Sequence, residues 1–186
     1  MSIPQSDFYL RKNGKWDIKT TKDIFLGKRT VLFMVPGAFT PTCSNQQVPE
    51  FEAAYNEITK YGVDQVLCMA VNDAFVMDAW AKSLKVKKVK MIPDGNGHFT
   101  IGVKAAIDKS NLGFGARSWR LALIVNENGI VEWAGVEEGK RDNASDDPYE
   151  ESTPEKVIQA LQAIKAAATA AKQAEDAAIA EAVSAG

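Results

Sequence analysis

The stretch Val31-Leu32-Phe33-Met34-Val35-Pro36-Gly37-Ala38-Phe39-Thr40-Pro41-Thr42-Cys43-Ser44 runs from an apolar segment into a loop punctuated by Pro36, Gly37 and Pro41. A continuous apolar run suits a strand buried on both faces, as in the middle of an α/β sheet. The loop then delivers Cys43 to the start of a helical pattern, in which Val48, Phe51, Ala54, Tyr55 and Ile58 recur at spacings of three and four. Gly62 supplies a stop, and Pro49 predicts a kink or a delay in regular geometry. A thiol at a helix N-terminus faces unpaired backbone N–H groups and the positive end of the helix dipole. Both favour the thiolate, the nucleophilic form. Thr40 adds a hydroxyl three residues before the thiol.

Working outward, Phe8 to Leu10 and Trp16 to Ile18 flank Asn13-Gly14, a hairpin signal. Val63 to Val71 is a second β-rich run and contains Cys68. Asn72 is expected to cap a helix carrying Phe75, Val76, Ala79 and Trp80 on one face. Lys90 to Ile92 predicts a short strand ending at Pro93, Asp94 to Gly97 a turn, His98 to Ala106 a weak helix and Asp108 to Gly115 a loop. Trp119 to Val125 and Ile130 to Ala134 read as two strands around Asn126-Glu127-Asn128-Gly129. Glu137 to Glu151 reads as an acidic surface loop. Thr153-Pro154-Glu155 starts a helix with Val157, Ile158, Leu161 and Ile164 on its apolar face. Strand–helix–strand–helix–strand, followed by a hairpin and a closing helix, predicts a mixed central sheet flanked by helices: an α/β, thioredoxin-like fold. The domain is expected over residues 1–165. Residues 166–186 are Ala-rich, with high helix propensity and little apolar surface to bury, and predict a helical or disordered tail or a docking helix.

The 186 residues fit one domain with an appendage, and 46% hydrophobic residues suffice for a core. A net charge of -2 marks neither nucleic acid nor anionic lipid as a partner. The one basic cluster, Lys85 to Lys90, reads as the solvated approach to a strand. Two cysteines do not make a secreted disulfide scaffold, Met1 to Lys19 lacks the apolar stretch of a signal peptide, and no run of about 18 apolar residues predicts a membrane span. A reducing, cytoplasmic setting is the expectation. The single histidine, His98, and two cysteines lack the spacing of a metal site, so no metal is expected and His98 is placed on a surface loop. Trp16, Trp80, Trp119 and Trp133 are expected in the core and sheet.

Pro36-Gly37-Ala38-Phe39-Thr40-Pro41-Thr42-Cys43-Ser44, Val48-Pro49-x-Phe51, Val71-Asn72-Asp73-Ala74-Phe75-Val76, Asp94-Gly95-x-Gly97 and Gly115-x-Arg117-Ser118 together resemble the peroxiredoxins, in their peroxiredoxin-5-like, type II branch. The resemblance runs from about residue 3 to about residue 165.

It implies a thiol peroxidase that reduces hydrogen peroxide and small alkyl hydroperoxides, with Cys43 cycling through sulfenic acid and no cofactor. It implies that Thr40 hydrogen-bonds the thiolate and the incoming peroxide, that Arg117 stabilises the thiolate and the charged oxygens, and that Pro36 shields the thiol. Backbone N–H groups around Thr42 and Cys43 would complete the substrate-binding donors. Regeneration has two versions. In one, Cys68 is a resolving cysteine and a thioredoxin-like donor reduces the disulfide. In the other, Cys68 is inert core and glutathione or glutaredoxin attacks the sulfenic acid. A homodimer packed near the active-site loops is also implied. The alternative is a redox sensor or thiol-switched binding module. A thiol–disulfide reductase is disfavoured because Thr40 stands where a Cys-x-x-Cys motif would have its first cysteine.

Overall fold

The computed structural model describes residues 1–184. Its chain opens with the expected hairpin: β1 (Asp7–Lys12) pairs antiparallel with β2 (Lys15–Thr20). Asn13 and Gly14 both take positive φ, 51° and 76°, as a tight turn between right-twisted strands requires. Thr20 and Asp23 then form a reciprocal capping box that starts α1 (Thr21–Phe25). The sequence reading has no helix here, because a single turn carries no periodicity to detect.

β3 (Thr30–Met34) is buried throughout. A π-helical turn at Cys43–Gln47 leads into α2 (Val48–Thr59), followed by β4 (Gln65–Ala70), α3 (Ala74–Ser83) and β5 (Lys90–Pro93). After α4 (His98–Gly102), β6 (Ala106–Asp108) and β7 (Ala116–Ser118) form a small antiparallel ladder of their own. β8 (Leu121–Val125) and β9 (Val131–Val136) complete the main sheet, and α5 (Pro154–Ser184) closes the chain.

The main sheet has the order β5-β4-β3-β8-β9. β3, β4 and β5 run parallel through the crossovers α2 and α3, while β8 and β9 are antiparallel. This is the mixed, thioredoxin-like α/β sheet, covered on both faces. One face packs Val31, Phe33, Cys68 and Ile124 against α2, Trp80 of α3 and Leu161 of α5. The other packs Leu32, Met34, Leu67 and Leu123 against Phe8, Phe25 and Phe99. Continuous apolar strands are the direct result of that double burial.

Three local readings are corrected. The cap of α3 is Asp73, whose carboxylate accepts from Val76 N at 3.0 Å, rather than Asn72. The face it buries is Ala74, Met77 and Trp80; Phe75 is 57% exposed and sits edge-on to Trp16. Trp16 is accordingly a surface residue on β2, with Arg11 stacked beside it. His98 is exposed, and the lysines from Lys85 to Lys90 are solvated as expected. α5 buries Val157 and Leu161 and runs on as helix, with exposed side chains from Lys165 to Ala182. Among the described residues no helix is long and apolar enough to cross a membrane.

Phe33 has no solvent exposure and stacks on Phe51 with ring centroids 4.1 Å apart, joining α2 to the sheet. Phe33→Ala should therefore cost about 3–5 kcal/mol of stability. Urea unfolding should show the midpoint falling with little change in slope.

Candidate active site

The loop after β3 is built by a sequence of short-range constraints. Val35 N–H still bonds to Met69 O at 3.0 Å, and the chain leaves the sheet at Pro36, which has no N–H to contribute. Gly37 passes so close to Arg117 that a Cβ there would lie 2.8 Å from Nη1. Ala38 N–H is held by Asn72 Oδ1 at 2.9 Å, and Phe39 takes a left-handed φ of 63°. Thr40 Oγ1 donates to Gly37 O at 2.9 Å, closing the turn. Helical geometry begins at Pro41, and Ser44 N–H bonds back to Thr40 O at 3.0 Å. The N–H groups of Thr42 and Cys43 precede that bond and belong to the open end of the helix.

Pro49 acts on the turn that carries the thiol. Its ring crowds the carbonyl four residues earlier and cannot donate to it. The backbone widens instead: Val48 N–H reaches Cys43 O, one residue further than in an α-helix. The break expected at Pro49 is thus a π-turn spanning Cys43 to Gln47.

Cys43 is fully buried. Arg120 Nη1 lies 3.5 Å from its Sγ and donates also to Gln47 Oε1 at 2.6 Å. Arg120 Nε donates to Pro148 O at 2.9 Å, Nη2 pairs with Asp147, and the Tyr149 ring lies 5.7 Å from the guanidinium carbon. Arg120 is itself 1% exposed. Burial works against its charge, but the charges of Cys43 and Asp147 outweigh it, and its pKa is held above the usual arginine value. At the next residue, Ser44 Oγ accepts from the Trp80 indole N–H at 3.0 Å.

Arg117 is not at the thiol. It lies on β7 opposite Ile107, with Nε donating to Phe114 O at 3.0 Å and Nη1 to Pro36 O at 3.5 Å and Asn72 Oδ1 at 3.4 Å. The residues between account for the difference. β7 belongs to the small ladder, whereas Arg120 immediately precedes β8, whose first residue, Leu121, pairs with Met34 at the end of β3. Only the second arginine shares the strand end from which the cysteine loop departs. The available signal was Arg120 itself, a charge embedded in the apolar run Trp119 to Val125.

Cys68 is fully buried on β4, between Phe33 and Met91, in the same cluster as Cys43. Burial first, and the neighbouring Cys43 charge second, push its thiol well above the ordinary range. Pro36, Thr40, Thr42, Leu112, Phe114 and Asp147 line a largely apolar cavity of about 320 Å³ over the cysteine loop.

The acidic segment is a surface loop, as expected, and it is held as a strap at several points. Asn143 N–H bonds to Asp108 O, and the buried Lys109 Nζ donates to Ala144 O at 2.7 Å. Tyr149 Oη donates to Glu50 Oε2 at 2.6 Å, on the first turn of α2. Gln47 Nε2 donates to Ser152 Oγ at 3.4 Å. Sequence reasoning missed Gln47, Asp147 and Tyr149, because each acquires its place only through Arg120. Among the described residues no group of three or more His, Cys, Asp or Glu side chains is arranged to hold a metal ion.

The Redoxin family profile matches residues 3–152. A peroxiredoxin of Sinorhizobium fredii is 52% identical over 147 residues, covering 79% of this chain and 78% of that protein. Among solved structures, the Plasmodium falciparum antioxidant protein, a 1-Cys peroxiredoxin, superposes with a TM-score of 0.82 at 36% identity, covering 87% of this chain and 96% of that one. Reduced Prx3 of Vibrio vulnificus in complex with hydrogen peroxide superposes with a TM-score of 0.78 at 33% identity, with the same coverage.

A charge-assisted hydrogen bond contributes about 1.5–3 kcal/mol. Arg120→Met should therefore slow oxidation of Cys43 by hydrogen peroxide about tenfold or more, while Arg117→Met leaves it near wild type. Stopped flow with one equivalent of peroxide distinguishes the two.

Proposed function

The chain belongs to the peroxiredoxin family and is a thiol peroxidase, and on that premise we propose that Cys43 is its peroxidatic nucleophile and Arg120 the cation that serves it. The contact between Arg120 Nη1 and Cys43 Sγ at 3.5 Å carries the proposal. The guanidinium favours the thiolate, and its fixed donors suit the oxygen charge that develops as the O–O bond breaks. The thiolate attacks the hydroxyl oxygen of ROOH. An S–O bond forms, the O–O bond breaks, and RO⁻ leaves and takes a proton from water. Sulfur gives up two electrons and Cys43 becomes the sulfenic acid.

Thr40 commits its own proton to Gly37 O, so its oxygen is left as an acceptor for the peroxide O–H. The N–H groups of Thr42 and Cys43 face the leaving oxygen, and Pro36 screens the thiol from water. Arg117 supports the loop from behind rather than touching substrate. The apolar cavity lined by Pro36, Leu112 and Phe114 is larger than hydrogen peroxide needs and suits the body of a small alkyl hydroperoxide.

For regeneration we favour an external thiol of the glutathione or glutaredoxin kind over a thioredoxin-reduced disulfide. Its sulfur attacks the sulfenic sulfur and releases water, and a second thiol then frees Cys43 and leaves as the disulfide. Burial and the raised pKa of Cys68 support this, since a resolving cysteine must form a thiolate and meet its partner. Likeness to a 1-Cys peroxiredoxin supports it too. A homodimer is the expected assembly, with Phe39 and Leu112, 56% and 54% exposed, as apolar surface beside the site. A reducing, cytoplasmic compartment is the setting in which such a cycle runs.

Cys43→Ser should abolish multiple turnover of hydrogen peroxide with any thiol donor, and retained turnover would refute the assignment. Cys68→Ser should keep turnover with glutathione and glutaredoxin. Loss of turnover with every donor, with the first oxidation step intact, would instead make Cys68 the resolving residue. Light scattering at micromolar concentration should report twice the chain mass.

A further inference from the structure

Glu137 is a buried carboxylate, 2% exposed, immediately after β9. Among the described residues no lysine or arginine pairs with it. Its oxygens are filled instead by one short stretch of the strap. Oε1 accepts from Glu151 N at 3.0 Å, Ser152 N at 2.8 Å and Ser152 Oγ at 2.7 Å, and both oxygens accept from Glu150 N. A buried anion satisfied by so many donors fixes the backbone that supplies them, because losing it would strand every donor at once.

That backbone leads to the thiol by two routes. Ser152 Oγ and O both receive Gln47 Nε2, at 3.4 and 3.5 Å, and Gln47 Oε1 receives Arg120 Nη1. On the same strap, just before the anchored residues, Pro148 and Asp147 hold Arg120 Nε and Nη2. Glu137 also touches Arg120 through the main chain: its N–H donates to Arg120 O at 3.2 Å, and its carbonyl receives the Trp119 indole N–H at 2.7 Å. The strap runs so close to β9 that a Cβ at Gly135 would lie 2.1 Å from Glu151 O, so the sheet itself leaves room for it only at a glycine.

We propose that Glu137 is a positioning residue for peroxide reduction: it anchors residues 150–152 and so sets the direction from which Arg120 meets Cys43. The proposal rests on the assignment of Arg120 to that reaction. Displacing a catalytic group by about 1 Å typically costs up to about a hundredfold in rate. Apart from Cys43 itself, every hydrogen-bond partner of the Arg120 head is on the strap or is Gln47, which the strap holds.

The test compares Glu137→Gln with the milder Ser152→Ala, in full-length protein. Both should oxidise Cys43 with hydrogen peroxide about tenfold to a hundredfold more slowly in stopped flow, and show less thiolate absorbance at neutral pH, while reduction of oxidised enzyme by glutathione stays at the wild-type rate. Lower thermal stability with wild-type oxidation and thiolate absorbance in both variants would overturn the proposal, leaving Glu137 a structural residue only. If Glu137→Gln does not fold, Ser152→Ala decides by the same two readings. In an Arg120→Met background, Glu137→Gln should bring no further loss, and a full additional loss would show action by another path. Arg120→Met oxidising at the wild-type rate would instead remove the assignment of Arg120.

Discussion

A guanidinium with almost no contact with water must be compensated on every side, and much of this molecule can be understood as that compensation around Arg120. An unpaired buried charge costs several kcal/mol. Here Cys43, Gln47, Pro148 and Asp147 each take a donor, and Tyr149 covers the flat face. Cys43 is the nucleophile of this set in the reaction proposed above. The same desolvation that makes the cation costly makes its hold on the sulfur strong, because water is not there to screen it.

The sheet decides which residues can take part. β3 and β8 are adjacent and antiparallel, so the end of one strand and the start of the other lie together. The cysteine loop departs from the first and Arg120 precedes the second. Neither needs to be near the other in sequence, and both are set by strands whose apolar residues are buried on two faces. The strap then closes the polar side, gripping the first turns of the cysteine helix through Glu50 and Gln47. The fold supplies rigidity and the strap supplies aim.

How far this could be read from the chain differs by level. The strands of the main sheet, the hairpin at Asn13-Gly14, the cysteine loop and the helix that follows are local patterns, and they appear where periodicity and turn residues put them; β6 and β7, three residues each, fall instead at the end of the expected weak helix and at the two ends of the expected loop. Arg120 lay outside that reach. Arg117 and Arg120 are three residues apart, and only the change of ladder between β7 and β8 separates the one behind the loop from the one at the thiol. Gln47, Asp147 and Tyr149 were hidden for the same reason, since polar residues near a helix start or in an acidic loop look solvated until a partner arrives from far along the chain. Phe75 and Trp16 went the other way. Their apolar character suggested the core, but they meet each other at the surface, where an aromatic pair needs no interior. α1 and the π-turn were too short to show a period at all.

The π-turn has a consequence of its own. A helix tolerates exchange of one residue for another, but a widened turn depends on how many residues it contains. Removing Asn45 or Gln46 would let the ordinary ladder close and swing the preceding segment by about 100° around the helix axis. The thiol would then face away from Arg120 although every named side chain remained. The site is therefore written partly in arithmetic: it depends on the number of residues in the turn as well as on their identities.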